Sequence, residues 1–109
     1  MLFAIHALDR SGALPARLAN YDAHKAFLSD TSHFGIKIVM SGPLVADDGQ
    51  AMIGSLFLIE APSRAEVEAF NRADPFAAAG IWDKVSITGF VRRQGYGDFA
   101  AGSGLLRSD

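Results

Sequence analysis

Four short segments with the pattern of β-strands, separated by two stretches of helical spacing, constrain the fold of this 109-residue chain most strongly. The segments are residues 2–8, 36–41, 51–60 and 83–93; the first three are rich in apolar side chains, and in the last the apolar side chains Val85, Ile87 and Val91 face one side. One helical pattern lies between the first two segments and another between the last two. The order β-α-β-β-α-β predicts a ferredoxin-like α+β domain, with two helices on one face of a four-stranded antiparallel sheet.

Both helical patterns carry start and stop signals. The first spans residues 16–34, and Gly35 is placed to end it as a C-cap glycine. The second begins at Ser63, which forms a capping box with Glu66. Asp74, followed by a proline, is expected to cap a further short helix.

Glycine and proline also predict where the strands are interrupted. The pair Gly42-Pro43 is expected to close the second strand, since proline cannot donate to a strand ladder. Gly54 is expected to mark a bulge in the third strand. Both positions therefore delimit the regular part of the sheet.

The apolar content bears on assembly. Apolar residues make up 50% of the chain, with a mean hydropathy of +0.18, and both faces of the first strand are largely apolar. Since the two helices cover one sheet face, we expect a second copy of the chain to cover the other, giving a homodimer. Residues 1–94 are predicted to form the domain, and residues 95–109, with four glycines, a tail or an arm over the partner.

Charge, cysteine count and motifs exclude several classes of function. The net charge of −2 does not suggest a nucleic-acid partner, and the absence of cysteine excludes disulfides, thiolate metal sites and cysteine nucleophiles. The three histidines lack metal-ligand spacing, and no G-x-G-x-x-G or P-loop occurs, so neither a metal nor a cofactor is expected. No apolar run approaches the ~20 residues of a membrane helix, and the N-terminus lacks a basic n-region. A cytoplasmic protein with no membrane partner is expected.

Three stretches resemble the YciI (YCII-related) family. They are VMSGPL at 39–44, the first helix with Arg17 and His24, and ADPFAAAGIW at 73–82. The resemblance covers about residues 1–93 and implies a ferredoxin-like fold, usually dimeric and related to the dimeric α/β-barrel proteins. It also implies an active site built on a His–Asp pair, which His24 and Asp74 match. The activity associated with the family is dehydrochlorination of chlorinated aromatic compounds.

The residues themselves leave two interpretations of His24 and Asp74. In the first, Asp74 accepts a hydrogen bond from one imidazole nitrogen, fixes the tautomer and leaves the other nitrogen as general acid or base. In the second, Asp74 only caps its helix and His24 lies on a solvated face. The family resemblance favours the first interpretation.

Two further candidate contacts with a substrate are Ser41 and Arg17. Ser41 precedes Gly42-Pro43, where its hydroxyl either holds a substrate oxygen or belongs to an ordinary turn. Arg17 either binds a substrate carboxylate or phenolate through charge-assisted hydrogen bonds or is a surface arginine. Asp9-Arg10 after the first strand is either a rim of the site or a solvated turn.

Two hypotheses for the function follow. The first is a cofactor-independent enzyme in which His24 transfers a proton and Asp74 orients it. Its substrate is expected to be a small-molecule ligand, an oxygenated compound, and its reaction is that of a lyase, an isomerase or a dehydrochlorinase. The alternative is a non-catalytic, dimeric ligand-binding or accessory module that uses the same pocket.

Overall fold

The strands form one four-stranded antiparallel sheet. A computed structural model describes residues 1–95, and its strands are β1 (Leu2–Asp9), β2 (Lys37–Val45), β3 (Met52–Glu60) and β4 (Trp82–Phe90). The strand order is β2-β3-β1-β4, and each neighbouring pair is antiparallel. The predicted ferredoxin-like α+β fold is thereby confirmed. The predicted tail lies outside the described residues, apart from Gly95.

The helices differ from the prediction in the first crossover. The structure has α1 (Leu14–Ala19), α2 (Tyr21–Leu28), a 3₁₀ turn (Ser32–Phe34), α3 (Arg64–Ala73) and α4 (Pro75–Ala78). One continuous helix over residues 16–34 was therefore a wrong prediction. Asn20 leaves helical geometry with φ −104° and ψ 6°, and its side chain donates to the Ala16 carbonyl. Asp30 accepts from both the amide and the hydroxyl of Ser32, which favours a turn over a further helical bond.

The helix caps agree with the sequence prediction. Ser63 and Glu66 form the capping box at the start of α3, and Asp74 accepts from the Phe76 amide at the start of α4. Gly35 ends the 3₁₀ turn in the left-handed region at φ +71°, a conformation that glycine adopts without steric cost. These caps fix both ends of α3 and therefore the position of Asp74.

Two strand boundaries differ from the prediction. β2 continues through Gly42-Pro43 to Val45; β2 is an edge strand, the position in a sheet where proline is tolerated. The pairing of β2 and β3 is also irregular beside Gly54, where a bulge was expected: Leu44 pairs with Gly54, but the next residue, Val45, pairs with Met52. β4 ends at Phe90 rather than at residue 93.

The core lies between the sheet and the helices. Alternate residues of β1 and β3 point toward α3 and bury their side chains there; the buried cluster includes Phe3, Ile5, Phe57, Ile59, Val67 and Phe70.

The opposite sheet face exposes large apolar side chains, among them Leu8 and Met40, which are 36% and 45% exposed. Within residues 1–95, none of the helices has the length and apolar character needed to cross a membrane.

Candidate functional site

His24 and Asp74 lie in direct contact although 50 residues separate them in the chain. His24 is on α2, and Asp74 lies between α3 and α4. His24 Nδ1 is 2.8 Å from Asp74 Oδ1, and the same carboxylate oxygen accepts from the Phe76 amide at 2.9 Å. Asp74 is fully buried and His24 is 9% exposed. Asp74 therefore both caps α4 and bonds His24, and His24 does not lie on a solvated face.

Aromatic rings hold the imidazole in place. The ring of Phe76 stacks on that of His24, with centroids 3.9 Å apart and an interplanar angle of 5°. Phe57 approaches the same imidazole edge-on at 6.2 Å. Both phenylalanines are buried core residues. The orientation of His24 is therefore fixed by packing as well as by the bond to Asp74.

Arg17 is buried beside the same pair and forms its own ion pair. Its Nε and Nη2 donate to the two carboxylate oxygens of Asp9 at 2.8 and 3.1 Å, and Nη2 also donates to Ser55 Oγ at 2.7 Å. The Arg17 guanidinium carbon lies 4.8 Å from the centroid of the Phe76 ring. Arg17 is only 3% exposed, so the interpretation of Arg17 as a surface arginine was wrong. Of the pair Asp9-Arg10, the Asp9 side chain is only 7% exposed and is held in this ion pair, whereas Arg10 is exposed.

Ser55 belongs to the site but was not predicted from the sequence. It precedes Phe57 by two positions on β3, and in a strand such residues share one face. The spacing of two residues from a core phenylalanine could have predicted that Ser55 lies on the buried face of β3. Ser55 is 2% exposed and contacts Arg17, so it takes part in fixing the guanidinium plane.

A pocket of about 500 Å³ opens beside these residues, between α1, α2 and the sheet. This volume lies within the usual range for small-molecule sites. Its lining includes Arg17, His24, Ser41, Ser55, Phe57, Tyr21 and Lys25. Ser41 is paired with Phe57 in the β2–β3 register and therefore points to the helix side of the sheet. Three of the four predicted site residues, Arg17, His24 and Ser41, thus line one pocket, and Asp74 lies behind His24.

The two buried basic side chains that line the pocket, His24 and Arg17, have unused hydrogen-bonding capacity. Within residues 1–95, no side chain or backbone group bonds His24 Nε2 or Arg17 Nη1, while the other nitrogens of both side chains are engaged. Both residues line the pocket. An imidazole nitrogen and a guanidinium N–H₂ group are therefore available to a bound molecule.

The other histidines lie away from this pocket. His6 is exposed on the open sheet face and His33 is exposed in the 3₁₀ turn, and neither lines the pocket. In the described part of the chain, no group of three or more His, Cys, Asp or Glu side chains is arranged to hold a metal ion. Among the described residues, His24 is therefore the histidine that lines the pocket.

The fold and the site together define a class: small ferredoxin-like α+β domains in which a buried His–Asp pair borders a ligand-sized pocket. The model of the YCII-related domain family matches residues 1–91. The chain belongs to this family, the YciI (YCII-related) proteins.

Relatives and a solved structure agree with this assignment. The chain is 35% identical over 97 residues to Protein YciI of Escherichia coli O6:H1, a match that covers 84% of this chain and 98% of the relative. Protein YciI of Shigella flexneri gives the same values. The structure of 5-chloro-2-hydroxyhydroquinone dehydrochlorinase (TftG) from Burkholderia phenoliruptrix AC1100, in complex with 2,5-dihydroxybenzoquinone, superimposes with a TM-score of 0.73. It is 35% identical, and the match covers 87% of this chain and 96% of that one.

Proposed function

We propose that the protein is a small-molecule enzyme in which His24 transfers a proton without a cofactor and Asp74 orients it. The observation that carries this proposal is the 2.8 Å contact between His24 Nδ1 and the fully buried Asp74 carboxylate, made by a histidine that lines a pocket. The similarity to a dehydrochlorinase, at 35% identity, supports a catalytic role.

The hydrogen bond to Asp74 assigns the two imidazole nitrogens different roles. A carboxylate accepts, so it favours the tautomer with the proton on Nδ1 and leaves the Nε2 lone pair toward the pocket. Nε2 then takes a proton from the bound compound and returns it at another atom or to solvent. A well-positioned general base typically contributes ~10²–10⁴-fold to a rate.

Arg17 and Ser41 supply the polar contacts for the substrate in this proposal. Asp9 and Ser55 hold the guanidinium of Arg17, so its free Nη1 donates from a fixed position. Ser41 Oγ offers a second donor from β2. Two donors near His24 suit a small oxygenated compound whose oxygens gain negative charge as the proton leaves.

The reaction class that fits is a lyase or an isomerase, with loss of HCl from a chlorinated aromatic compound as one member. Elimination of HCl needs a base for the proton and departure of chloride with the C–Cl electron pair, so no oxidant or reductant enters. Isomerisation needs the same base and a return of the proton. The proposed site provides the base in both cases.

The proposal is tested by incubating the protein with 5-chloro-2-hydroxyhydroquinone in the absence of oxygen and measuring the release of chloride. A thermal-shift screen of small oxygenated compounds extends the test to other substrates, because a ligand of the folded state raises apparent stability. We expect His24→Ala and Asp74→Asn to lower kcat by about 10²-fold or more. His33→Ala, a change at an exposed histidine outside the pocket, is the matched control and keeps the wild-type rate.

Two results would contradict the proposed chemistry. If a substrate is found and both His24→Ala and Asp74→Asn keep full turnover, the dyad does not act in catalysis. If both variants lose ligand binding while no compound is ever turned over, the protein is a ligand-binding module rather than an enzyme.

We also propose that the protein acts as a homodimer in the cytoplasm, with residues 1–94 as the domain; the predicted tail or arm, residues 95–109, lies outside the described residues apart from Gly95. The large apolar side chains on the open sheet face, including Leu8 and Met40, support burial against a second copy. Light scattering at micromolar concentration should give the mass of a dimer. A stable monomer at that concentration contradicts the assembly, and cell fractionation tests the location.

A further inference from the structure

The lining of the pocket is unevenly charged. Among its described residues are three basic side chains, Arg17, His24 and Lys25, and no aspartate or glutamate. Arg17 and His24 each have a buried carboxylate partner, Asp9 and Asp74, behind the lining. The surface that a bound molecule meets is therefore basic, although two of its three basic groups are balanced from behind.

Lys25 differs from the other two. In residues 1–95, no carboxylate lies within 4.0 Å of its ammonium group; ion pairs are formed by Arg17, His24 and Arg64. Its Nζ lies 5.7 Å from the centroid of the Tyr21 ring, one helical turn earlier on α2, and this ring also lines the pocket. Lys25 is therefore a pocket cation beside a flat aromatic surface.

The charges around the pocket indicate what Lys25 balances. Arg17 and Asp9 cancel one another, and once His24 has taken a proton it cancels Asp74. A substrate that has lost a proton to His24 then carries a negative charge that neither pair neutralises. Lys25 is the basic pocket side chain without a carboxylate partner in residues 1–95, so its charge adds to the contacts of Arg17 and Ser41 in stabilising that negative charge.

We propose that Lys25 and Tyr21 select a substrate that is a small planar anion, with an ionised carboxylate, phenol or enol oxygen bound beside the Lys25 ammonium. The Tyr21 ring packs against the flat carbon skeleton, and the charge of Lys25 sets the preference for anions over neutral compounds of the same shape. This inference deepens the proposed function, since it assigns a substrate class to the same pocket, and it makes Lys25 a specificity-determining residue.

Variants at position 25 separate charge from shape. Lys25→Met removes the charge and keeps an unbranched side chain over Tyr21, and Lys25→Arg restores the charge. Lys25 is exposed, so neither change is expected to unfold the domain. Lys84→Met is the matched control, because Lys84 is also exposed but lies on β4 outside the pocket.

The probes are two pairs that differ in charge: benzoate with benzamide, and 2,5-dihydroxybenzoquinone with its dimethoxy analogue. Calorimetric titration at neutral pH gives Kd for each. Wild type and Lys84→Met should bind the anion of each pair about tenfold more tightly, the effect of one interaction with a charged group. Lys25→Met should lose that preference and Lys25→Arg should recover it, and added salt should weaken it because Lys25 faces solvent.

The inference is overturned if wild type binds anion and neutral analogue equally, or binds neither anion at millimolar concentration. It is also overturned if Lys25→Met keeps the full preference. These binding results are independent of turnover. Failure of the dyad shows as unchanged kcat in His24→Ala with the anion preference intact, whereas failure of the present inference leaves the His24 dependence of kcat in place.

Discussion

Replacement of Asp9 by asparagine gives a direct measure of the buried charge beside the pocket. The side chains of Arg17 and Asp9 are only 4% and 7% exposed, so Asp9→Asn leaves the guanidinium buried without its counter-charge. Removal of one partner of a buried ion pair typically costs about 3–5 kcal/mol of unfolding free energy. Asparagine keeps one oxygen that accepts from Arg17, so we expect the lower end, about 3 kcal/mol.

Urea denaturation followed by the fluorescence of Trp82, the single tryptophan, gives the unfolding free energy. The midpoint should fall with little change in the slope m, and Tm should drop by roughly 10–20 °C for a domain of this size. The control is Glu68→Gln, which breaks the exposed Arg64–Glu68 pair, where the side chains are 52% and 42% exposed. That change should cost less than about 0.5 kcal/mol.

A double-mutant cycle tests the reasoning further. The double variant Arg17→Met, Asp9→Asn removes both charges. Its loss of unfolding free energy should therefore be smaller than the sum of the losses in the two single variants, with a coupling energy of about 1–3 kcal/mol. If Asp9→Asn costs no more than Glu68→Gln, or if the cycle shows no coupling, Arg17 is effectively solvated. The account of a charge fixed by burial would then be refuted.

Three further predictions concern packing and caps, each measured by urea or thermal denaturation. Gly54→Ala should cost about 1–3 kcal/mol, because a Cβ there would overlap a backbone carbonyl oxygen of β1, whereas Gly42→Ala has open space and should be nearly neutral. Phe76→Leu should cost about 1–2 kcal/mol and lower turnover, since it removes the ring stacked on the imidazole; unchanged kcat would contradict the positioning role. Ser63→Ala should lower Tm by several degrees at neutral pH, because Ser63 caps the backbone at the start of α3. Its hydroxyl also donates to the Glu66 carboxylate and thereby holds the pKa of Glu66 below its usual value. The part that comes from the Glu66 carboxylate is present above the ordinary pKa of a glutamate and is lost as the pH falls through the lowered pKa, whereas the bond to the α3 backbone does not titrate. Ser63→Ala should therefore cost less at low pH than at neutral pH, and a loss that does not shrink would contradict this account.

Local features of this chain could be predicted from sequence because neighbouring residues determine them. The capping box at Ser63, the cap at Asp74 and the left-handed glycine at position 35 each depend on residues a few positions away. The order of strands and helices follows from hydrophobic period, and it was enough to predict the ferredoxin-like sheet. The break of the first helical pattern at Asn20 was missed, since an amide side chain that competes with helix bonds gives only a weak local signal.

The sequence by itself determined the elements, their caps and the residue types available for chemistry. Only the tertiary structure decided which of those residues meet. The contact of His24 with Asp74 joins positions 50 apart, and that of Arg17 with Ser55 joins positions 38 apart. Both require the packing of α1, α2 and α4 against the sheet, which no local pattern specifies. Burial then changed the character of Arg17 and Asp9 from solvated charges to a fixed pair, because exposure is a property of the packed domain and not of a residue's neighbours in the chain.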